Sequence, residues 1–413
     1  MAVAELRHQA EGGDLGRDVA IVGTISAAHF CSHFYQFTLP LLFPRIQAEY
    51  RVGFTELGLL VTVFYASSGF AQTAAGFLVD HVGPARVLAA GLGLLAASMA
   101  LVALVPSFWM IYPAAALAGL GNSVFHPADY SIMSHRVEKS RVGRAFAVHA
   151  LSGTLGYAAA PAVMVGLATV LPWRHAILFA ALGGFLVFLL VVAKQRLLAG
   201  TPRIAPAPAT TGGPRPSPLG ALRHPAVLVC FSFFFLMAMP TVGLSGFVTT
   251  ALGRLYETPI AVVAAALTAN LAGSALGVML GGILADRTSH HERIVAAAVF
   301  FAAVIYLAVG IVGFDALALA FMLAAAGFTS GLSTPSRDML VRSAAATSAT
   351  TGKVFGFAYS GFDLGSAAAP PLLGFLLDHG HAVWVLPTMA FSLVLVILSA
   401  LGLKVRPRAH QEA

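Results

Sequence analysis

Two imidazoles and an amide lie close together in the stretch HFCSHFYQF, His29 to Phe37, where the neighbouring residues are apolar. On a helix that turns about 100° per residue, His29 and His33 are about 40° apart, and Gln36 lies about 20° from His29 on the other side. Polar groups are costly against lipid, so this face should border the interior of a helical bundle. We predict a substrate or proton role for at least one histidine; the alternative is that both only hydrogen-bond a neighbouring helix.

A carboxyl group near the other end of the chain complements these imidazoles. Tyr359, Asp363 and Ser366 share one helical face, and Asp363 falls near the middle of its apolar run. Ionisable side chains at that depth mark proton and substrate pathways in membrane proteins, and histidine changes its charge close to neutral pH. We predict that Tyr359 and Asp363 belong to such a pathway. The alternative is that Asp363 only hydrogen-bonds Tyr359 or a neighbouring helix.

The composition places these groups in a membrane protein. The 413 residues are 58% hydrophobic and 10% charged, with a mean hydropathy of +0.84, whereas a soluble domain carries roughly 25% charged residues. A helix needs about 20 apolar residues to cross the hydrocarbon. Suitable runs lie at residues 19–43, 54–79, 86–105, 108–134, 145–171, 174–197, 225–251, 259–285, 293–313, 315–343, 353–377 and 381–403. We predict an all-α protein with twelve transmembrane helices.

The distribution of positive charge predicts the orientation of the bundle. If the N-terminus is cytoplasmic, only Arg45, Arg51, Arg174 and Arg254 of the 24 Lys and Arg fall on the outer side. The positive-inside rule and an even helix count then place both termini in the cytoplasm. The net charge of +7 is therefore a topology signal and does not indicate a nucleic-acid partner. Because no cleavable signal peptide is evident, we expect a multi-pass protein of the cytoplasmic (inner) membrane.

The sequence contains two copies of one unit. G-F-L-V-D, Gly76 to Asp80, returns as G-I-L-A-D, Gly282 to Asp286, and GRAF…G-x-AAAP, Gly143 to Pro161, returns as GKVF…G-x-AAAP, Gly352 to Pro370. Such repeats indicate a duplicated bundle with an axis along the membrane normal. The segment between the copies is rich in Pro, Ala and Gly, which is typical of a linker. We predict cytoplasmic segments at 1–18 and 404–413, six-helix bundles at 19–197 and 225–403, and a cytoplasmic linker at 198–224.

With twelve spans, a basic central linker and G-x-L-x-D before a basic loop in each half, the chain resembles the major facilitator superfamily over essentially its whole length. The resemblance implies a secondary active transporter that moves a small solute by alternating access, with protons and the lipid bilayer as partners. It implies no cofactor and no enzymatic activity, and these bundles can work as monomers. It also places helices 1 and 11 beside a central cavity, so we predict a proton relay from His29 and His33 to Asp363.

The G-x-L-x-D motif has a physical basis. Glycine lets two helices approach closely, and an aspartate at a helix end can accept N–H groups from the N-terminus of a neighbouring helix. The motif residues are Gly76, Asp80, Gly83 and Arg86 in the first copy, where His81 replaces the family's arginine, and Gly282, Asp286 and Arg287 in the second. Asp129 and Asp338 lie at equivalent positions of helices 4 and 10. We predict that Arg86–Asp129 and Arg287–Asp338 form ion pairs that hold the cytoplasmic side closed; the alternative is that these charges only orient loops.

Helix 4 contributes Asn122 and His126 within GNSVFHPAD, a stretch that resembles fosmidomycin-resistance-like efflux proteins of the superfamily. Pro127 lacks an N–H and predicts a bend in this helix. His149 in helix 5 and Asn270 in helix 8 are further candidates for the cavity. These side chains extend the predicted substrate and proton pathway into both halves.

Small residues in helices 5 and 11 predict close helix packing. Gly153, Gly156 and Pro161 fit part of the helix-5 motif of proton antiporters, and Gly365 and Pro370 are the counterparts in helix 11. The paired glycines of that motif are missing, so the sequence leaves symport and antiport, and therefore import and efflux, both open.

Two other function classes fit some of these residues. A transition-metal ion transporter is an alternative, because His29 and His33 at i and i+4 can bind one metal ion. A membrane-integral enzyme that uses His and Asp as acid and base is a second alternative. The chain has no G-x-x-x-x-G-K-[ST] phosphate-binding loop, so the energy for transport should come from an ion gradient or from the solute itself.

Overall fold

The computed structural model describes residues 14–52, 54–199, 221–346 and 351–402, and within these ranges the chain is helical and has no strand. The long helices are α1 (Leu15–Tyr50), α2 (Phe54–Val82), α3 (Pro84–Leu104), α4 (Ile111–Asn122, then Phe125–Arg136), α5 (Val142–Val170), α6 (Trp173–Ala193), α7 (Pro225–Val242, then Gly243–Phe247 and Val248–Tyr256), α8 (Ile260–Arg287), α9 (His291–Ile311), α10 (Ala316–Ala346), α11 (Thr351–Asp378) and α12 (Val385–Gly402). One-turn pieces lie at Phe108–Met110, Lys139–Arg141, Gln195–Leu198, Ala221–Arg223 and Ala382–Trp384.

Nine helices in the described part of the chain are long and apolar enough to cross a membrane, which confirms the predicted all-α membrane protein. The long helices outside this group are α1, α5 and α11. These three helices carry His29, His33, His149 and Asp363, four of the side chains predicted for the substrate and proton pathway. That all twelve helices span the membrane, with both termini in the cytoplasm, stays a prediction.

Helix contacts repeat six helices further along the chain. In the first set, α1 packs on α5 and α6, α2 on α4, and α3 on α6; in the second set, α7 packs on α11 and α12, α8 on α10, and α9 on α12. The two sets meet where α2 runs along α11 and α5 runs along α8. This repetition supports the duplication, although the domain limits stay predictions. Most of the linker at 198–224, most of segment 1–18 and the tail at 404–413 lie outside the described residues.

The α4 helix is interrupted at Ser123 and Val124, as the sequence predicts. Pro127 cannot donate a backbone hydrogen bond to the preceding turn, so the regular helical ladder is lost there. Asn122 ends the first piece and His126 lies in the first turn of the second piece, and both line a cavity at the centre of the bundle.

The first motif joins α2 to the N-terminus of α11. Asp80 accepts the backbone N–H groups of Gly352 at 3.0 Å and Lys353 at 3.2 Å. The helix dipole and the free N–H groups of that first turn both favour a carboxylate. This confirms the predicted contact between a motif aspartate and a helix N-terminus. Gly83 ends the motif with φ of 99°, a backbone conformation that favours glycine.

The second motif joins α8 to the N-terminus of α5 in the same way. Asp286 accepts the N–H of Gly143 at 2.7 Å and that of Arg144 at 3.2 Å, and the Arg144 side chain donates to it at 2.6 Å. A Cβ at Gly282 would lie 2.5 Å from the Cβ of Ala147, so only glycine permits this approach. We call the end of the bundle where Asp80 and Asp286 lie the motif end.

The predicted ion pairs Arg86–Asp129 and Arg287–Asp338 are wrong. Both arginines are exposed, whereas both aspartates are buried and have other partners in the described structure. Asp129 lies against His149, and Asp338 lies against the neighbouring arginine of its own helix. Burying a charge requires a close partner, and these deep carboxylates lie too far inside the bundle for the loop arginines.

Replacing Gly76 by valine should loosen the contact between α2 and α11. A Cβ at Gly76 would lie 2.9 Å from the Lys353 Cα, so the two backbones must separate. Overpacking of this kind costs about 1–3 kcal/mol, and we expect Gly76→Val to lower the unfolding temperature of the purified protein. Gly183→Val is the control, because nothing lies within 4 Å of a Cβ there. Equal unfolding temperatures for the two variants would contradict the close approach.

Candidate functional site

A cavity of about 160 Å³ lies between the two sets of helices. Among the residues predicted for the substrate and proton pathway, those that line it are His29, His33, Gln36, Asn122, His126, Tyr359 and Asp363. His149 lies behind the wall, stacked on His29 with ring centroids 3.7 Å apart. Asn270 donates to the backbone oxygen of Leu323 and helps α8 to pack on α10, so its observed contact is structural.

Asp363 is buried between α11 and α2. Its Oδ2 accepts hydrogen bonds from Ser68 at 2.6 Å and from Gln72 at 2.8 Å. The alternative bond between Asp363 and Tyr359 is not formed, because the Tyr359 hydroxyl donates to Asp338 instead. The carboxyl group of one helix set is therefore held by side chains of the other set.

A hydrogen-bonded network links this carboxyl group to the polar face of α1. Asn122 donates to Ser68 at 3.0 Å and accepts from Ser32 at 2.6 Å. Gln36 donates to Asn122 at 3.4 Å and accepts from Tyr157 at 2.5 Å. Polar groups removed from water need such partners, so the network fixes the orientation of the cavity wall.

Three histidines line the other side of the cavity, and His149 lies behind them. The ring of His29 lies 4.3 Å from that of His33 and 5.6 Å from that of His126, measured between centroids. His126 Nδ1 lies 3.2 Å from Gln72 Oε1, and Gln72 Nε2 donates to Asp363. The contacts therefore run from His29 to Asp363 through His126 and Gln72, and the structure shows no direct bond between an imidazole and Asp363 among its described side chains.

These imidazoles also form groups that could hold a metal ion. His29, His33 and His126 bring three ligand atoms within 4.8 Å of one another, and so do His29, Asp129 and His149. Imidazole nitrogen and carboxylate oxygen are ligands that zinc commonly takes in proteins. The cavity wall thus offers two overlapping ligand sets that share His29.

Arg337 is a cavity residue that the sequence reasoning missed. Its side chain is 15% exposed, lines the cavity and donates to Asp338 at 2.9 Å. The guanidinium lies 5.0 Å from the ring centroid of Phe234, within the range of a cation–π contact. This arginine stands in T-P-S-R-D, Thr334 to Asp338, and the predicted orientation of the bundle places it among the cytoplasmic charges.

Asp338 is a junction between the two helix sets. It accepts from Tyr130 of α4 at 2.7 Å and from Tyr359 of α11 at 2.5 Å, besides Arg337 of its own helix. The carboxylate is fully buried, so each donor offsets part of its desolvation. Any movement of Arg337 would therefore change contacts that reach both sets of helices.

Glycines in α5 and α11 allow the close packing predicted for them. A Cβ at Gly156 would meet the backbone of Phe30, and one at Gly365 would meet that of Phe235. A Cβ at Gly153 would lie 3.0 Å from His29 Nε2, so this glycine makes room for the imidazoles. Pro161 and Pro370 lie within the same two helices.

Comparisons with known proteins match the fold and more than nine-tenths of the chain. The "Fosmidomycin resistance protein" of Escherichia coli (strain K12) is 26% identical over 392 residues, which cover 92% of this chain and 91% of the relative. A "Probable L-galactonate transporter" from the same organism is 25% identical over 146 residues, 35% of this chain and 32% of the relative.

Solved structures share the architecture at low sequence identity. An MFS transporter, FucP, in the outward conformation has a TM-score of 0.72 at 15% identity and covers 94% of this chain and 99% of its own. The human organic anion transporter MFSD10 (TETRAN) has a TM-score of 0.72 at 17% identity and covers 93% and 99%. The family model of the Major Facilitator Superfamily matches residues 25–343 and 242–413, and this chain therefore belongs to that superfamily of membrane transporters.

Proposed function

We propose that this protein is a proton-coupled secondary transporter that moves a small organic anion by alternating access. Its twelve helices span the membrane with both termini in the cytoplasm, and its two six-helix units move against each other around the central cavity. The observation that carries the proposal is Asp363, a buried carboxyl group of α11 whose hydrogen-bond donors both lie on α2.

The position of Asp363 suits proton coupling. When the two units separate along α2 and α11, Ser68 and Gln72 must leave the carboxyl group. An ionised carboxylate that loses both donors in an apolar interface is costly, whereas the protonated form is much less so. Proton binding at Asp363 therefore favours separation, which links the transport cycle to the proton gradient. A structural neighbour is titled a fucose:proton symporter, in agreement with this mechanism.

The positive charge of Arg337 in the cavity wall favours an anionic solute. It is the guanidinium of the cavity wall, and arginine can donate two parallel hydrogen bonds to a carboxylate or phosphate group. His29, His33 and His126 place further nitrogen donors on the opposite wall. An L-galactonate transporter and an organic anion transporter among the compared proteins agree with this class of solute.

The contacts at the motif end suggest which state is observed. Asp80 and Asp286 each bind the N-terminus of a helix from the other unit, and these two contacts hold the units together at that end. We infer that the motif end is cytoplasmic and closed here, so the cavity would receive solute from the outer side. In the opposite state both aspartates leave the helix N-termini.

Flux measurements in proteoliposomes test the proposal. Purified protein is reconstituted, and uptake of fosmidomycin, L-galactonate and L-fucose is measured with and without a pH gradient across the membrane. We expect flux of at least one acidic solute to increase with the gradient and to collapse when a protonophore is added. Flux that ignores the gradient would contradict proton coupling, and preference for a neutral sugar would contradict the anion assignment.

A further inference from the structure

A second cluster in the walls of the cavity is built around Asp129, a carboxyl group to which the proposed transport cycle gives no role. Asp129 is fully buried, and its Oδ2 lies 3.0 Å from His149 Nε2 and 3.7 Å from His29 Nδ1. Asp129 Oδ1 and His29 Nδ1 have no hydrogen-bond partner among the described residues. Buried polar atoms are rarely left in this condition, so the cluster is incomplete as it stands.

We propose that His29, Asp129 and His149 bind a divalent transition-metal ion of the zinc class in the wall of the cavity. All three ligand atoms lie within 4.8 Å of one another, a spacing that small rotations can contract around one ion. Two imidazoles and one carboxylate are a common zinc ligand set, with the fourth position of the tetrahedron left for another ligand.

Charge balance supports an ion at this position. The ion-pair contacts of Asp129 in the described structure are with His149 and His29, which carry a positive charge only when protonated. A buried carboxylate with neutral partners lacks a compensating cation, and this is costly. A divalent cation would provide that charge and would engage the free oxygen and the free nitrogen together.

The surrounding helices give the site its shape. His29 comes from α1, Asp129 from the second piece of α4 and His149 from α5, so three packed helices hold the ligands in place. Gly153 leaves room next to His29 Nε2, where a larger residue would push the ring away. His33 or His126 can supply the fourth ligand, because both belong with His29 to the second group of close ligand atoms.

The ligands all belong to the first set of helices. An ion held there does not bridge the two units, so it need not be released when they move. This distinguishes a resident ion from a transported one, which must pass through the cavity. The site shares His29 with the pair of histidines in α1 considered as a metal-transport path, but it differs from that pair in its other two ligands and in its role.

Equilibrium dialysis with zinc tests the site directly. The protein is purified with an affinity tag that contains no histidine, is stripped with a chelator, and is dialysed against Zn²⁺ before metal analysis. We expect about one zinc ion per chain, the number that a single tetrahedral set of ligands holds. His149→Gln and Asp129→Asn should each weaken binding at least about tenfold, the lower limit of the effect seen even for partners of metal ligands.

The control is His379→Gln, which removes an exposed histidine at the end of α11 and should leave binding unchanged. Replacing zinc by Co²⁺ gives a second readout, since tetrahedral cobalt absorbs visible light and this absorption should be lost in the His149 and Asp129 variants. Gel filtration and circular dichroism verify that each variant is folded.

Three results would overturn the inference. The first is absence of zinc from the wild-type protein in excess Zn²⁺, and the second is unchanged affinity in both folded variants. The third is rapid passage of zinc through proteoliposomes with no retained ion, which would indicate a metal transporter. If the protein bound zinc but showed no proton-driven anion flux, the proposed transport function would be contradicted and the zinc site would stand. The two hypotheses can therefore fail separately.

Discussion

Asp363→Asn should abolish gradient-driven accumulation of solute while exchange of solute across the membrane continues. The substitution removes the proton-binding group but keeps an oxygen that can accept from Ser68 and Gln72, which now bond Asp363 Oδ2 at 2.6 and 2.8 Å. The packing of α2 against α11 is therefore retained. Exchange requires only that the loaded cavity opens alternately to each side, whereas accumulation requires a proton to move with each cycle.

The expected size of the effect follows from the gradient. One pH unit corresponds to about 1.4 kcal/mol per proton, which supports roughly a tenfold concentration ratio of solute for one coupled proton. In the Asp363→Asn protein this ratio should fall to one, with the rate of counterflow within a few-fold of the wild type. Counterflow and pH-driven uptake are measured on the same proteoliposomes, so that differences in reconstitution cancel.

The matched control for Asp363→Asn is Asp315→Asn. Asp315 is exposed and caps the first turn of α10 through the N–H of Ala318, a role that asparagine can also fill. This variant should accumulate solute like the wild type. Normal accumulation in Asp363→Asn would show that another group carries the proton, and loss of exchange as well would show that the carboxyl group is needed for the movement itself.

The positions of the long helices could be predicted from the sequence, and much of the cavity could too. Apolar run length indicates a membrane helix without knowledge of its neighbours, and helical periodicity places His29, His33 and Gln36 on one face. All three line the cavity in the structure. The internal repeat also anticipated helix contacts that recur six helices later.

The partners of the buried carboxyl groups could not be predicted from the sequence. Periodicity gives the face of a residue on its own helix, but not which distant helix that face meets or at what height. Asp129 and Asp338 were therefore assigned to loop arginines, whereas tilt and depth place them beside His149 and Tyr130. The contact of Asp80 with a helix N-terminus was foreseeable, because it depends on a property that every helix N-terminus shares.

The position of the Arg337 side chain also could not be predicted from the sequence. Its segment lies close to the inner end of a predicted span, where cations are common on topological grounds. Only the packing of Phe234 and the neighbouring Asp338 shows that the guanidinium turns into the cavity. A single charged residue near a span boundary therefore needs the three-dimensional structure before its role can be assigned.

Replacing Arg337 should weaken binding of the anionic solute more than any other single change in the cavity wall. A hydrogen bond to a charged group contributes about 1.5–3 kcal/mol, which corresponds to roughly a 10- to 150-fold loss of affinity. Arg337→Lys should retain part of the affinity, because lysine keeps the charge but not the planar pair of donors. Binding is measured by calorimetry or by competition in counterflow.

Replacing Arg337 also affects Asp338, because this buried carboxylate then loses its positively charged partner. Breaking a buried ion pair from one side costs about 3–5 kcal/mol and could unfold the protein. The double variant Arg337→Gln with Asp338→Asn removes both charges and keeps acceptors for Tyr130 and Tyr359, which now donate to Asp338. It should fold like the wild type and bind the anion more weakly than Arg337→Lys, because it has no cation at this position.

Asp338→Asn alone gives the opposite expectation for affinity; because it too breaks the buried ion pair from one side, its folding is verified by the unfolding temperature first. It frees Arg337 from its carboxylate partner at 2.9 Å, so the guanidinium can engage the solute without competition, and affinity for the anion should increase. Binding that is tighter in Asp338→Asn and weaker in the double variant assigns the guanidinium to solute recognition. Equal affinity in the wild type and the double variant would restrict Arg337 to its ion pair with Asp338 within α10.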